Sequence, residues 1–393
     1  MGYMSEYIEK RIGGKALENE LLRLIGEFNT RCPGSFLVVY AGAIGKPIPD
    51  VMMTMDDYFI INDLLRGVSS KRIDFYIETP GGFGEAAEEI ARCLRKKFVT
   101  VNFVVSGEAK SAGTILVLSG DDISMTNTGS LGPIDAQMQI GRTRISAFDY
   151  LEWVDERRKE AAKTNALNPF DATMIAQISP GELKLVHHSL EFAKDIVIEW
   201  LQKYKFKNWV QTETRKMQVD KSMKEARAKE IAKILSNHAK WRSHGRSLKI
   251  EDLHGIGLKI NRIDDDPNLS EIVYRIQTVL RLLFSSTNVY KIFATSSQKI
   301  FKNAVSVGAP SMIPIAPPPV AEVAHLDVKC QKCGKTHSIY AKFVQNPKID
   351  EDYKNKGATP FPKDNKLACD CGFEIDLSGI RNEIETQLGK KMV

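Results

Sequence analysis

The chain of 393 residues has no uninterrupted apolar run of the about eighteen residues that span a bilayer. Its first ten residues, Met1 to Lys10, lack the apolar centre of a secretory signal. The Gly2 start also misses the myristoylation pattern, because position 6 is Glu6. These absences exclude a helical membrane span from the reading and lead us to expect a cytoplasmic protein. Excess charge is small too: Lys and Arg number 55 against 49 Asp and Glu, a net +6. Over so long a chain that is a weak argument for nucleic acid, which we do not expect as a partner. Cysteine is scarce, and four of the six residues stand in two close pairs near the C-terminus. In a reducing compartment such pairs argue metal rather than disulfide, leaving Cys32 and Cys93 as ordinary buried residues. There is no internal repeat.

What is present is a long alternation of elements. Residues 1–34 carry Leu21, Leu22, Leu24 and Ile25 on one helical face and end at Cys32-Pro33-Gly34. Strands are expected at Phe36–Tyr40, over the alternating Ile73, Phe75 and Ile77, at Phe98–Val105 and at Ile123–Met125. Helices are expected at Asp56–Leu65, Glu85–Lys96 and Ser111–Leu118, then at Glu152–Lys163, Pro180–Lys205 and Lys221–Ser236. Repeated β-α-β implies an α/β fold with a mostly parallel sheet. We divide the chain into an N-terminal helical segment (1–34), a core domain (35–265), a helical extension (266–308), a linker (309–322) and a small module (323–393). The linker assignment rests on five prolines between Ala309 and Pro319.

Ser111 stands out chemically. It follows the apolar run Val99–Val105 in the stretch Ser106-Gly107-Glu108-Ala109-Lys110-Ser111-Ala112-Gly113-Thr114 and opens a helix. A hydroxyl at a strand-to-helix junction sits under the positive helix end, where a nucleophile is favoured. Thirty residues upstream, Thr79-Pro80-Gly81-Gly82 ends another strand, and glycines there let backbone N–H groups approach a reacting carbonyl. The bland alternative is a tight turn and an N-cap serine.

These two blocks and a third, Thr128-Gly129-Ser130-Leu131-Gly132-Pro133-Ile134-Asp135, resemble in order the blocks of the Clp protease and crotonase superfamily. The Gly-Pro-Ile-Asp ending is most similar to the serine dehydrogenase proteinase family, relatives of signal peptide peptidase A. The resemblance is dense from Phe36 to Gln137 and patchier to Leu258. It implies a ClpP/crotonase-like repeated β-α-β core with helical additions, and a serine endopeptidase that cleaves unfolded or extended segments. By position it makes Ser111 the nucleophile, with N–H groups of Gly81 or Gly82 and of Ala112 as the oxyanion hole. It also implies a homo-oligomer, trimer-based or ring-shaped.

The base is open. Where Clp proteases place a histidine, this chain has Thr128. Signal peptide peptidases use a lysine some fifty residues beyond the serine, and Lys163 lies 52 positions on (163 minus 111). A lysine stripped of water beside a serine can act as general base, so a Ser111–Lys163 dyad is expected. Lys159 competes with it, and Lys110 is discounted because neighbouring side chains of extended backbone diverge. His187, His188, His244 and His254 are the fallbacks, with Asp135 as the carboxylate that would orient a histidine; otherwise Asp135 is a cap or ion-pair residue.

Cys330-x2-Cys333 and Cys369-x-Cys371 can each hold one edge of a tetrahedron around a structural zinc, with His337 as a substitute ligand. A segment this short needs such a staple to fold. The module is therefore expected to be zinc-ribbon-like and able to bind a protein partner. Lys203-Tyr204-Lys205-Phe206-Lys207 with Trp209 mixes cations and rings as single-strand binders do, but at helical spacing it reads as a solvated face beside packed aromatics. Two other functions fit the same blocks: a crotonase-type acyl-CoA enzyme, and a non-catalytic oligomeric scaffold.

Overall fold

A computed structural model describes residues 2–140, 143–304, 322–388 and 390–393. The expected proline-rich linker falls, but for its last residue, outside them. The chain divides into two compact units, residues 1–305 and 306–393.

The first unit opens with helices α1 (Tyr3–Glu9) and α2 (Gly14–Arg31) and then runs through β1 (Leu37–Gly42), α3 (Met55–Leu64), β2 (Arg72–Glu78), α4 (Gly84–Lys97) and β3 (Thr100–Val105). A short strand, β4 (Glu108–Ala109), leads into α5 (Ala112–Val117), followed by β5 (Asp122–Met125) and β6 (Ser130–Leu131). A hairpin of β7 (Gln137–Ile140) and β8 (Thr143–Ser146) leads into helices α6 (Ala147–Thr164), α7 (Pro169–Ala176) and α8 (Pro180–Trp200). The chain closes through α9 (Lys221–Leu235), α10 (His238–Trp241), α11 (Ile250–Gly255), β9 (Asn261–Arg262), α12 (Pro267–Ser286), β10 (Val289–Ala294) and β11 (Lys299–Asn303).

Seven strands form one sheet in the order β11-β10-β1-β2-β3-β5-β9. The run from β1 to β9 is parallel, and β10 and β11 join its edge antiparallel. The central strands read as nearly continuous apolar runs because both of their faces are covered. Val38, Tyr40, Ile73, Phe75 and Ile77 point into a core shared with α3, α4, α5, α9 and α11. Leu37, Val39, Ala41 and Tyr76 point into a second core against α2 and α12. The segment expected as a helical extension thus supplies α12 and also two strands of the sheet.

Cys32 and Cys93 are only half-buried, contrary to expectation. Cys93 lies where α4 meets α3, its Sγ 3.6 Å from Asn62 Oδ1. The expected helix Pro180–Lys205 is α-helical to Trp200 and widens to a π-turn over Leu201–Lys205. There Arg95 lies 3.8 Å over the Tyr204 ring, and Phe206 and Trp209 pack into the first core. Among the described residues no helix is long and apolar enough to cross a membrane.

The second unit pairs β12 (Val323–Lys329) with β13 (Thr336–Lys342), followed by α13 (Pro347–Asn355), β14 (Thr359–Pro360), the hairpin β15 (Lys366–Ala368) and β16 (Glu374–Asp376), and α14 (Ser378–Leu388). Its core is small, built on Val328, Ile339 and Leu377.

Candidate active site and metal centre

Beyond the C-terminal ends of β2 and β3, a second layer of backbone forms. Met53 bridges Gly82, Thr79 bridges Ala109, β4 pairs parallel with β6, and Leu131 bridges Leu248 antiparallel. This ladder sets five chain segments side by side and puts Gly81 opposite Ser111. A β-carbon on Gly81 would lie 2.7 Å from Ser111 Cβ and 3.4 Å from its Oγ. At Gly82 the obstacle is backbone: a β-carbon there would come within 2.2 Å of Met53 O. Glycine is required at both, and their φ values of 108° and 154° lie where other residues are strained.

Ser111 itself has φ 51° and ψ −118° as the N-cap of α5. A non-glycine residue at positive φ is strained, and here the bend turns a half-buried hydroxyl outward over the start of a helix. Among the described residues, the N–H groups of Gly82 and Ala112 have no hydrogen-bond partner, whereas Gly81 N–H donates to Thr79 Oγ1 at 3.2 Å. Thr114 stiffens the corner: its hydroxyl donates to Ala109 O at 2.7 Å and accepts from Gly132 N at 2.9 Å.

The Met53 edge is anchored from below. Lys291 and Asp57, both fully buried, pair at 2.8 Å. Lys291 Nζ also donates to Met52 O at 2.9 Å, and Asp57 Oδ2 accepts from Thr54 N at 2.9 Å and from Tyr40 OH at 3.0 Å. Met53 in turn donates to Gly81 O at 2.7 Å and accepts from Phe83 N at 3.0 Å. Next to this turn, Glu78 is fully buried, and burial raises its pKa to about 7 although Arg281 pulls it down. Arg281 Nη2 lies 2.6 Å from Glu78 Oε1, yet that oxygen accepts no hydrogen bond.

The expected bases are placed very differently. Lys163 is exposed in the last turn of α6, the position where a cation complements the helix dipole, and no hydrogen bond joins it to Ser111. Lys159 is exposed and paired with Asp155 at 2.6 Å. His187 and His188 are exposed neighbours on α8, and the His254 ring bonds the backbone of Ile260 at 3.3 Å.

Asp135 and His244 do meet. Asp135 is fully buried, and its Oδ1 lies 2.8 Å from His244 Nδ1. Oδ2 lies 2.8 Å from His238 Nδ1 and accepts from Gln137 Nε2 at 2.8 Å. An ionised carboxylate only accepts, so both Nδ1 atoms carry the proton. Burial pushes the Asp135 pKa up, but the bonds and charge of His244 and His238 outweigh it and hold the carboxyl below its ordinary value. His238 is occupied on both sides, its Nε2 3.3 Å from Asp149 Oδ2; His244 Nε2 has no partner among the described residues. The loop carrying His244 reaches Leu248, which pairs with Leu131, so it runs two strands from Ser111 in the ladder. Sequence reasoning missed His238 and Gln137. No local signal marks His238, whose contact with Asp135 spans 103 positions, whereas Gln137 stands only two residues beyond Asp135.

Residues 40–179 match the family of ClpP-like SDH-type serine proteinases. In this ClpP-like segment lie Gly81, Gly82, Ser111, Ala112, Asp135 and Lys163; His238 and His244 lie beyond it. The chain is also similar to the uncharacterized protein MJ0137 of Methanocaldococcus jannaschii, 26% identical over 240 residues, which are 61% of this chain and 69% of that one. A second protein of that organism, MJ1495, is 30% identical over 95 residues, 24% of this chain and 32% of that one. Among solved structures, a mutant of the 1510-N membrane-bound stomatin-specific protease aligns over 61% of this chain and 83% of its own at 13% identity, TM-score 0.35. A ClpP1 mutant from Listeria monocytogenes aligns over 62% and 97% at 13% identity, TM-score 0.31.

In the second unit, Cys330, Cys333, Cys369 and Cys371 bring their sulfurs within 4.8 Å of one another. Cys330 Sγ lies 3.8 Å from Cys371 Sγ, and Cys333 Sγ 3.5 Å from Cys369 Sγ. Tetrahedral zinc with bonds of about 2.3 Å requires sulfurs roughly 3.8 Å apart, so the four thiols fit such an ion. Each pair sits on a tight turn closed by a glycine at φ 78°, Gly334 and Gly372. The Cys330 thiol is drawn down to about 7, first by the N–H of Cys333. His337 Nε2 lies 3.2 Å from Cys369 Sγ, outside the set of four.

Proposed function

We propose that this protein is a serine endopeptidase in which Ser111 is the nucleophile, His244 the base and Asp135 the group that orients it. The observation that carries this reading is the strained Ser111 bend, packed against Gly81 and flanked by the unpartnered N–H groups of Gly82 and Ala112. Ser111 Oγ attacks the carbonyl carbon of an extended peptide while His244 Nε2 takes its proton. The carbonyl oxygen, now an anion, accepts from Gly82 and Ala112 N–H. His244 then returns the proton to the departing amine, and water repeats the sequence to release the acyl group. Asp135 holds the imidazole with Nδ1–H inward and stabilises its charged form. No direct bond joins His244 to Ser111 in this structure; such bonds are commonly long before substrate arrives.

The expected Ser111–Lys163 dyad lacks this support, because Lys163 is exposed in the last turn of α6 and no hydrogen bond joins it to Ser111. Zinc in the four-cysteine cluster would be closed and structural, folding the second unit and presenting a surface to a protein partner. A homo-oligomer that sequesters Ser111 would restrict substrates to unfolded segments.

Labelling with a fluorophosphonate tests the assignment. Wild-type protein should be labelled at Ser111 and hydrolyse an unfolded polypeptide; Ser111→Ala should do neither. Absence of labelling in the wild type would favour the acyl-CoA or scaffold readings.

A further inference from the structure

The residue before the nucleophile is a buried cation with no anionic partner. Lys110 is 5% exposed, and among the described residues no carboxylate pairs with it. Its Nζ instead lies within reach of four neutral oxygens: Ser247 Oγ at 2.8 Å, Ser130 Oγ and Leu131 O at 3.2 Å, and Arg246 O at 3.3 Å. Burial draws its pKa down, while Glu108 raises it and Lys249 lowers it. If packing alone mattered, an apolar side chain of the same length would fill this space without a charge to desolvate.

The four oxygens come from two places. Ser130 and Leu131 belong to β6, which leads through Gly132 to Asp135, and Arg246 and Ser247 follow His244 by two and three residues. Gly132 leaves room for the lysine stem, since a β-carbon there would lie 2.8 Å from Lys110 Cδ. One ammonium group therefore joins the strand of Ser111, the strand leading to Asp135 and the loop carrying His244. The last two are also joined by the Leu131–Leu248 bridge, by the Asp135–His244 bond and by Lys249 Nζ on Thr128 O and Gly129 O.

We infer that Lys110 is a positioning residue: it pins the His244 loop against the Ser111 strand. This rests on the assignment of His244 as base. The other charged groups around that loop are Asp135, His238 with its partner Asp149, Lys249, whose Nζ donates to Thr128 O and Gly129 O, and Arg246, which lies 5.8 Å from the Trp241 ring. Of these charged groups, among the described residues, Lys110 is the one that joins the nucleophile's strand to the base's loop.

The test is the rate of fluorophosphonate labelling of Ser111 measured on the full chain. In Lys110→Met the rate near neutral pH should fall about 10- to 100-fold, as expected for a displaced catalytic group. Lys110→Arg fills the same space and keeps hydrogen-bond donors at its end, so it should recover part of that loss, whereas a role in packing alone predicts no advantage of Arg over Met. A wild-type rate in Lys110→Met, or equal rates in Lys110→Met and Lys110→Arg, overturns the proposal. Ser247→Ala removes the shortest of the four contacts and keeps the charge, and it should slow labelling about three- to tenfold. Should Lys110→Met fail to fold, a wild-type rate in Ser247→Ala overturns the proposal. His244→Ala separates the two readings: wild-type labelling there sinks the base assignment, whereas a dead His244→Ala beside an unaltered Lys110→Met sinks only the role of Lys110.

Discussion

Asp135 and His244, 109 residues apart in the chain, are joined by a 2.8 Å bond. Asp135 is closed to solvent, while the outer nitrogen of His244 has no partner among the described residues. Losing the carboxylate's orienting role is expected to be severe: Asp135→Asn and His244→Ala should each lower turnover by about 10²- to 10⁴-fold. Lys163→Ala should keep turnover within about twofold of wild type, as an exposed helix-terminal cation implies. Peptide hydrolysis under saturating substrate distinguishes these, and a dead Lys163→Ala with an active His244→Ala would restore the lysine dyad.

The Ser111 backbone conformation carries strain that glycine would relieve. Ser111→Gly should be inactive yet more stable, by about 1 kcal/mol. Denaturant titration of the two proteins reads the difference; a destabilised Ser111→Gly would mean the bend is not strained.

The Lys291–Asp57 pair supports the Met53 edge on which the Gly81–Gly82 turn rests. Removing one partner leaves a buried charge alone, and either Lys291→Met or Asp57→Leu should cost about 3–5 kcal/mol. The double substitution should recover most of that stability but not full activity, because the Lys291 bond to Met52 O and the Asp57 bond from Thr54 N are lost. Full activity in the double variant would show that the edge holds its position unaided.

Glu78 makes stability fall with rising pH. Its folded pKa of about 7 lies above the ordinary carboxylate value, so the folded state holds the proton more tightly than the unfolded chain. The contribution is fully present below about pH 4.5 and is lost as pH rises through about 7. Glu78→Gln should flatten the stability profile over that window, by up to about 3 kcal/mol. An identical profile in wild type and variant would place Glu78 as a permanently ionised partner of Arg281.

Metal removal should act on one unit. Elemental analysis should find one zinc per chain, and a chelator or Cys330→Ser should unfold residues 322–393 while Ser111 labelling persists. Amide exchange resolved by segment measures this; an unchanged second unit after chelation would exclude a structural ion.

Much of this architecture is written locally. The alternation of Ile73, Phe75 and Ile77, the spacing of Ala86, Ile90 and Leu94, and the glycines at 81 and 82 are properties of a few neighbouring residues, and periodicity reveals them before any folding is known. The same holds for Ser111 at its junction and for the paired cysteines. Lys163, by contrast, is indistinguishable in sequence from a buried base, because burial is not a local property; only packing leaves it in solvent. Asp135 looks like a cap or ion-pair residue until the chain from 238 to 248 returns alongside β6. Residue types and spacing alone therefore determined the nucleophile, the glycine turn and the cysteine cluster as candidates. Which groups surround them was decided by backbone registers between segments 20 to 137 residues apart, where hydrogen bonds and desolvation select the partners of Asp135 and Lys110.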